Sequence, residues 1–356
     1  MSLLLLPNEL LLHIADHVPF VALINLGASC THLMTVLNPK ISAQRDTLKY
    51  QYHSVFSGTY KPFPYHRLLL LILRQELPAM YIQVLDTDDS CGTEPWISDS
   101  EPPPPPSVVL QIRPADKRLL QTTTLTSPWL DPGDSEQIFD QLWRGYDDAA
   151  LCVLVPMLTN LRTFTAPPDA PRLEEVFTRI AKAYYTALDS NTEPAGLPFR
   201  SLRIVSTRAG NGVVGIGLEG AACYSSIPSV RRLIMQCSRS QRFAGWPSGL
   251  RSRVSEVYLC DSTVSAGAIC GFAEGIEGPC IIRMNYDDYG GDFPSDDGLV
   301  WDHYVIASEE GTRRERLQLK YDEDVHEPGF ARNSPESDCS VGMNRMRHEC
   351  GLYDLE

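Results

Sequence analysis

TNLRTF (159–164), RSLRIV (200–205), PSVRRLIM (228–235) and SEVYLCDS (255–262) are four versions of one short string, each with about three apolar positions in a strand-like run. Set in register on Leu161, Leu202, Val230 and Val257, they recur at intervals of 41, 28 and 27 residues. CIIRMNY (280–286) is a weaker fifth copy. Helical patterns stand between several of them. The clearest is 172–188, where Leu173, Val176, Phe177, Ile180, Tyr184 and Leu188 form one stripe. Glu175 and Arg179 pair at i, i+4 on its opposite side. Residues 265–276 carry Ile269, Phe272 and Ile276, and 136–158 carry Ile138, Phe139, Leu142 and Trp143, then a run from Ala149 to Leu158. Upstream, RLLLLILRQE (67–76) is apolar nearly all round and predicts a buried helix, while YIQVLD (81–86) reads as a short strand. The chain is therefore read as mixed, α+β or α/β.

The last two intervals fall within the 20–29 residues of a leucine-rich repeat, and the first allows for an inserted loop. Stacked units of this kind bury a continuous core and expose an irregular face of loops. The expected body is an irregular leucine-rich-repeat-like solenoid over 81–320. One loop, 86–107, interrupts it. DTDDSCGTEPWISDSEPPPPPS has six acidic residues, no basic one, and five prolines at 102–106. A solvated insertion is the favoured reading over a ligand for a proline-binding domain. The tail, 321–356, is polar, poorly patterned and expected to be loosely ordered.

The first forty residues read as a separate helical unit. Pro7 stands where a helix can begin, and Asn8 and Glu9 suit its N-terminus. Leu10, Leu11, Ile14 and Val18 follow at helical spacing, and Pro19 stops the run. Further apolar sets are Leu23, Ile24 and Leu26, then Cys30, Leu33, Met34 and Leu37, with Asn38-Pro39 closing the unit. So many apolar side chains cannot all face one small core. The surplus covers either a partner or the rest of this chain.

LPNELLLHIADHVPFVALINLGASCTHL (6–33) resembles the F-box. The Leu-Pro-x-Glu-Leu-Leu start is Leu6, Pro7, Glu9, Leu10 and Leu11. Ile14, Val18, the pair Leu23 and Ile24, and the late Cys30 follow in step. The resemblance implies a three-helix docking module over 1–45, followed by a helical linker over 46–80. It implies contact with the Skp-type adaptor of an SCF ubiquitin ligase through Leu6, Pro7, Leu10, Ile14, Val18, Leu23, Leu26, Cys30 and Leu33. Cullin and RING subunits come with that adaptor. An F-box with later degenerate repeats is similar to the large fungal F-box families, whose C-terminal domain is expected to hold the protein marked for degradation. The expected function is that of a substrate receptor that is not itself an enzyme. The alternative is an F-box scaffold acting outside a cullin ligase.

Composition narrows the other classes. The 356 residues hold 31 basic and 45 acidic side chains, a formal charge of −14, which argues against nucleic acid and anionic membrane as main partners. No apolar run approaches the length of a membrane span, and the start lacks the basic region of a secretory signal. The ten cysteines contain no C-x-x-C pair and read as reduced thiols, in cytoplasm or nucleus. His13 and His17 share a helix face, but Ile14 stands where a zinc protease needs Glu, so no metal is expected. Gly210-Asn-Gly212-Val-Val-Gly215 matches a dinucleotide fingerprint in letters only, because Gly217 and Gly220 break the helix that must follow. The acids Asp287, Asp288, Asp292, Asp296 and Asp297 lack calcium-loop spacing. His303 reads as a core residue, and no nucleophile–base set is evident. No cofactor is expected.

Overall fold

The computed structural model describes residues 3–56, 64–75, 79–87, 113–168, 170–192, 196–207, 216–236, 238–260, 262–285, 301–306 and 318–321. Most of the 86–107 insertion, the Gly210–Gly215 loop, the 287–297 acids and the tail beyond 321 lie outside them.

In chain order the elements are α1 (Asn8–Ala15), α2 (Phe20–Ala28), α3 (Thr31–Tyr52), β1 (Ser54–Phe56), α4 (Pro64–Leu73), β2 (Val84–Asp86), α5 (Pro114–Leu125), α6 (Ser135–Arg144) and α7 (Asp147–Leu154). There follow β3 (Thr163–Ala166), α8 (Pro171–Asp189), β4 (Ile204–Thr207), α9 (Leu218–Ser225), β5 (Arg232–Gln236), β6 (Arg239–Ser240), β7 (Glu256–Cys260), β8 (Thr263–Val264), α10 (Ala266–Ala273), β9 (Cys280–Asn285), β10 (Trp301–Ile306) and β11 (Gln318–Tyr321). The fold is mixed α/β around a mainly parallel sheet. Its seven parallel strands run β1-β2-β3-β4-β5-β7-β9, and β10 and β11 add antiparallel at one edge. β6 and β8 form a small parallel pair of their own.

The order of the parallel strands is the order of the chain. Every crossover therefore advances the same way, and a uniform right-handed crossover puts all connecting helices on one face. Contacts follow that series: α4 packs on α7, α7 on α8, α8 on α9 and α9 on α10. Beneath the helices, one apolar row crosses all seven strands: Val55, Leu85, Phe164, Val205, Leu233, Val257 and Ile282, all buried. A second row is Ala166, Thr207, Met235, Leu259 and Met284. Phe177 of α8 ties helices to sheet, stacking on Phe164 of β3 at 5.6 Å and meeting Tyr224 of α9 edge-on at 4.8 Å.

The strings observed in sequence become β3, β4, β5 and β7, and CIIRMNY becomes β9. Leu161, Leu202 and Val230 do stand in one column, two residues before their strands. The fourth member is a correction. Arg232 pairs with Glu256, so Val254, not Val257, opposes Val230, and the interval is 24 residues. Val257 lies three residues on, under the helices, where it faces Leu233. Both valines are buried, so apolarity alone does not distinguish the two registers.

Four other expectations change. Gly217 and Gly220 do not break a helix, since α9 starts directly after Gly217 and runs through Gly220. The stretch 136–158 is two helices, because Gly145, at φ 91°, ends α6 with a left-handed residue. Arg179 pairs with Asp131 instead of Glu175, drawing the loop before α6 onto α8. The span 46–80 is more than a helical linker, since it supplies β1 to the sheet and α4 to the buried helix layer. Within α4, Tyr65, His66, Leu68, Leu69, Leu70 and Ile72 are buried, as its all-round apolarity predicts.

Candidate functional site

The N-terminal helices form their own core, distinct from that of the sheet. Leu11 and Ala15 of α1, Phe20 and Leu23 of α2, and Leu33, Leu37 and Ile41 of α3 meet there. Tyr81 is the one downstream side chain in this cluster among the described residues, with its ring 6.3 Å from Phe20. Gly27 sets the approach of α2 to α3: a Cβ at that position would lie 3.1 Å from Ile41 Cδ1.

The helix starts follow the sequence signals, but α1 ends at Ala15, so Val18 lies beyond it, short of Pro19. Pro7 and Pro19 precede α1 and α2 in extended conformation, with ψ near 148° and 147°. Cys30 caps α3, its Sγ accepting the Leu33 N–H at 3.4 Å. Asn38-Pro39 does not close the unit, a correction. α3 runs through Pro39 to Tyr52 even though an interior proline lacks the N–H for one helical bond. Flanking contacts hold it: Leu37 and Ile41 are buried, and Lys40 donates to the Leu12 carbonyl at 3.1 Å and pairs with Asp16. The longer helix thereby braces the end of α1.

This core leaves a large apolar remainder outside. Leu10 is 49% exposed, whereas its neighbour Leu11 is 2% exposed. Leu3, Leu5, Leu12, Met34 and Pro7 are also exposed, and Leu6, Ile14, Val18, Ile24, Leu26, Cys30 and Val36 are half-buried. Seven of the nine residues expected to contact a partner thus keep surface available: Leu6, Pro7, Leu10, Ile14, Val18, Leu26 and Cys30. Leu23 and Leu33 do not. They are buried in the unit's own core, where they support α2 and α3 from behind. Leu3, Leu5, Leu12 and Met34 are exposed apolar residues that motif matching passed over. Their apolarity next to the motif was the available signal.

His13 and His17 are both exposed, with rings 5.2 Å apart, and no group of three or more His, Cys, Asp or Glu among the described residues could hold a metal. In the α/β body, burial pushes the Cys152 thiol far above its usual range and the Cys280 thiol to about 12, so both are held protonated. His303 falls in β10. No described helix is long and apolar enough to cross a membrane.

The other side of the strands carries a mainly polar row of Asp86, Thr165, Ser206, Ile234, Tyr258 and Arg283, the first five of them buried. Beside it, Arg232 donates to Glu256 at 2.8 Å, Tyr258 donates to the same carboxylate at 3.1 Å, and Arg283 donates to the Tyr258 hydroxyl at 3.2 Å. Glu256 thus takes Arg232 and Tyr258 together, while Arg283 reaches that carboxylate only through the Tyr258 hydroxyl. No family model, curated protein or solved structure matches this chain.

Proposed function

We propose that this protein is a substrate receptor of an SCF-type ubiquitin ligase, with its N-terminal three-helix unit acting as an F-box. The observation that carries the reading is the contrast within α1, where Leu11 completes a private core and Leu10 is left in water. A small unit that already has a core retains apolar surface at the positions through which an F-box docks. The Skp-type adaptor would cover Leu6, Pro7, Leu10, Ile14, Val18, Leu26 and Cys30. Each leucine or isoleucine fully transferred from water contributes roughly 1.5–3 kcal/mol, so a handful supports a stable complex against the cost of association.

In this reading the α/β body is an irregular leucine-rich-repeat-like solenoid that holds the target protein. Strands that follow chain order with helices on one face support it. The chain supplies placement alone: it raises the concentration of target lysines near the ubiquitin-conjugating enzyme brought by cullin and RING subunits. Such a complex would work in cytoplasm or nucleus. Size exclusion with light scattering on a mixture of the chain and a Skp-type adaptor tests the docking step. The expected result is a 1:1 complex that Leu10→Asp abolishes by placing a charge in an apolar interface. A folded chain that elutes apart from the adaptor refutes it. Cullin pull-down then separates a ligase from a scaffold outside one.

A further inference from the structure

The strand register brings together a feature that the overall charge of −14 conceals. Arg162, Arg203 and Arg231 each precede a strand by one residue and oppose one another across β3, β4 and β5. Arg203 N–H donates to the Arg162 carbonyl at 2.8 Å, and Arg231 N–H donates to the Arg203 carbonyl at 2.8 Å. Neighbouring parallel strands lie about 4.8 Å apart, so three arginines start from backbone positions spanning roughly 10 Å. All three are exposed. Arg251 and Arg253 extend the strip on the next turn, and the Arg253 carbonyl accepts from Arg231 at 3.4 Å.

The strip is not neutralised from within. Glu277 is shared by Arg251, at 3.9 Å, and Arg253, at 3.3 Å. Among the described residues no carboxylate lies within ion-pair distance of Arg162, Arg203 or Arg231. Carbonyls hold two of them: Arg203 donates to Ser229 O at 2.9 Å, and Arg231 to Pro228 O at 2.7 Å and Val230 O at 3.0 Å. Partial desolvation against the chain surface and the charges of Arg203 and Arg253 lower the pKa of the exposed Arg231. Backbone carbonyls therefore fix two of the side chains in place without supplying a counter-charge. An arginine has five N–H donors in a planar fork, so each keeps donors that face water.

We propose that this arginine strip, at the N-terminal edge of β3, β4 and β5, binds a carboxylate-rich segment of a partner protein. A short acidic peptide can set neighbouring carboxylates against the strip and offers its arginine forks bidentate partners. A long polyanion such as nucleic acid would meet the surrounding negative charge of the chain. Binding here does not depend on the N-terminal unit. Identifying the bound segment as part of a ubiquitylation target rests on the ligase reading, and the assay below omits the adaptor so that the two ideas fail separately.

Fluorescence anisotropy with a labelled ten-residue glutamate-rich peptide and the full chain tests the strip. The expected result is saturable binding that weakens with salt, is absent for a lysine-rich peptide, and falls less for R162K/R203K, which keeps the charge but loses the fork, than for charge reversal. The double reversal R162E/R203E removes two attractions and adds two repulsions, with an expected loss of about tenfold or more in affinity. Arg162 has no hydrogen bond from its side chain to the described residues. R162E alone therefore reads the effect at about threefold if the double variant does not fold. No saturable binding, equal binding by folded R162E and wild type, or tighter binding of a single-stranded DNA of equal charge overturns the proposal.

Discussion

Replacing Leu10 and Leu11 by alanine, one at a time, separates a docking surface from a core within a single turn of α1. Leu11 is 2% exposed and sits among Ala15, Leu23, Leu33 and Leu37. Truncation there leaves a cavity and costs about 2–5 kcal/mol of folding free energy. Leu10 is 49% exposed. Its truncation changes folding by no more than about 0.5 kcal/mol, the range of ordinary surface substitutions. A leucine taken wholly out of water contributes roughly 1.5–3 kcal/mol, and about half of the Leu10 side chain remains for a partner to cover. Leu10→Ala therefore weakens adaptor binding by about 1 kcal/mol, or roughly fivefold. Urea denaturation followed by circular dichroism reads the first quantity, and titration calorimetry with the Skp-type adaptor reads the second. The expected pattern is crossed: Leu11→Ala lowers stability, whereas Leu10→Ala lowers affinity at unchanged stability. Equal loss of stability in both variants would show Leu10 packed on its own chain. Unchanged affinity of Leu10→Ala would remove α1 from the interface.

Burial raises the Asp148 carboxyl to about 6. A folded-state pKa above the unfolded value means stability is lost as pH rises from about 4 to 6, by at most about 3 kcal/mol. Asp148→Asn should abolish that slope in denaturation series across those pH values. Arg74 makes a two-pronged ion pair with the buried Asp116, at 2.9 and 2.6 Å, and holds that carboxyl below its usual range. Arg74→Met should cost about 2 kcal/mol at pH 7, measured by urea titration, and less as pH falls through the Asp116 pKa. A Cβ at Gly275 would fall 2.0 Å from Trp246 Nε1, which donates to the Phe272 carbonyl at 2.8 Å. Gly275→Ala should displace the indole, shift its fluorescence and destabilise the chain by about 1–3 kcal/mol.

Local patterns already contain much of this architecture. The apolar stripe of Leu173, Val176, Phe177, Ile180 and Tyr184 is the buried face of α8, with only its last member, Leu188, left exposed at the helix end, and five short strings are five strands of the parallel sheet. Helical and strand periods are local properties, set by where successive side chains point, so one segment suffices to read them. The start residues of α1 and α2 are local for the same reason. Leu10 and Leu11 show the limit of such reading. Both are apolar residues in one helical stripe, and which of them faces the core depends on where α2 and α3 pack. The F-box resemblance implies a docking role for Leu23 and Leu33, yet helix packing turns both inward.

Proline at position 39 is a breaker by its own chemistry, but packing of Leu37 and Ile41 and the reach of Lys40 to α1 carry the helix past it. The Val254 register is likewise decided by strand pairing, since an apolar residue at either position satisfies the pattern. The same pairing decides charge. Sequence determined an acidic chain, alternating strands and helices, and an apolar N-terminal segment, because composition and period depend on residue order alone. The repeat register aligns Arg162, Arg203 and Arg231, but only strand pairing in the tertiary structure sets them side by side, with little to neutralise them. Electrostatic and apolar surfaces depend on distances in space, and those are settled when the strands pair and the helices pack.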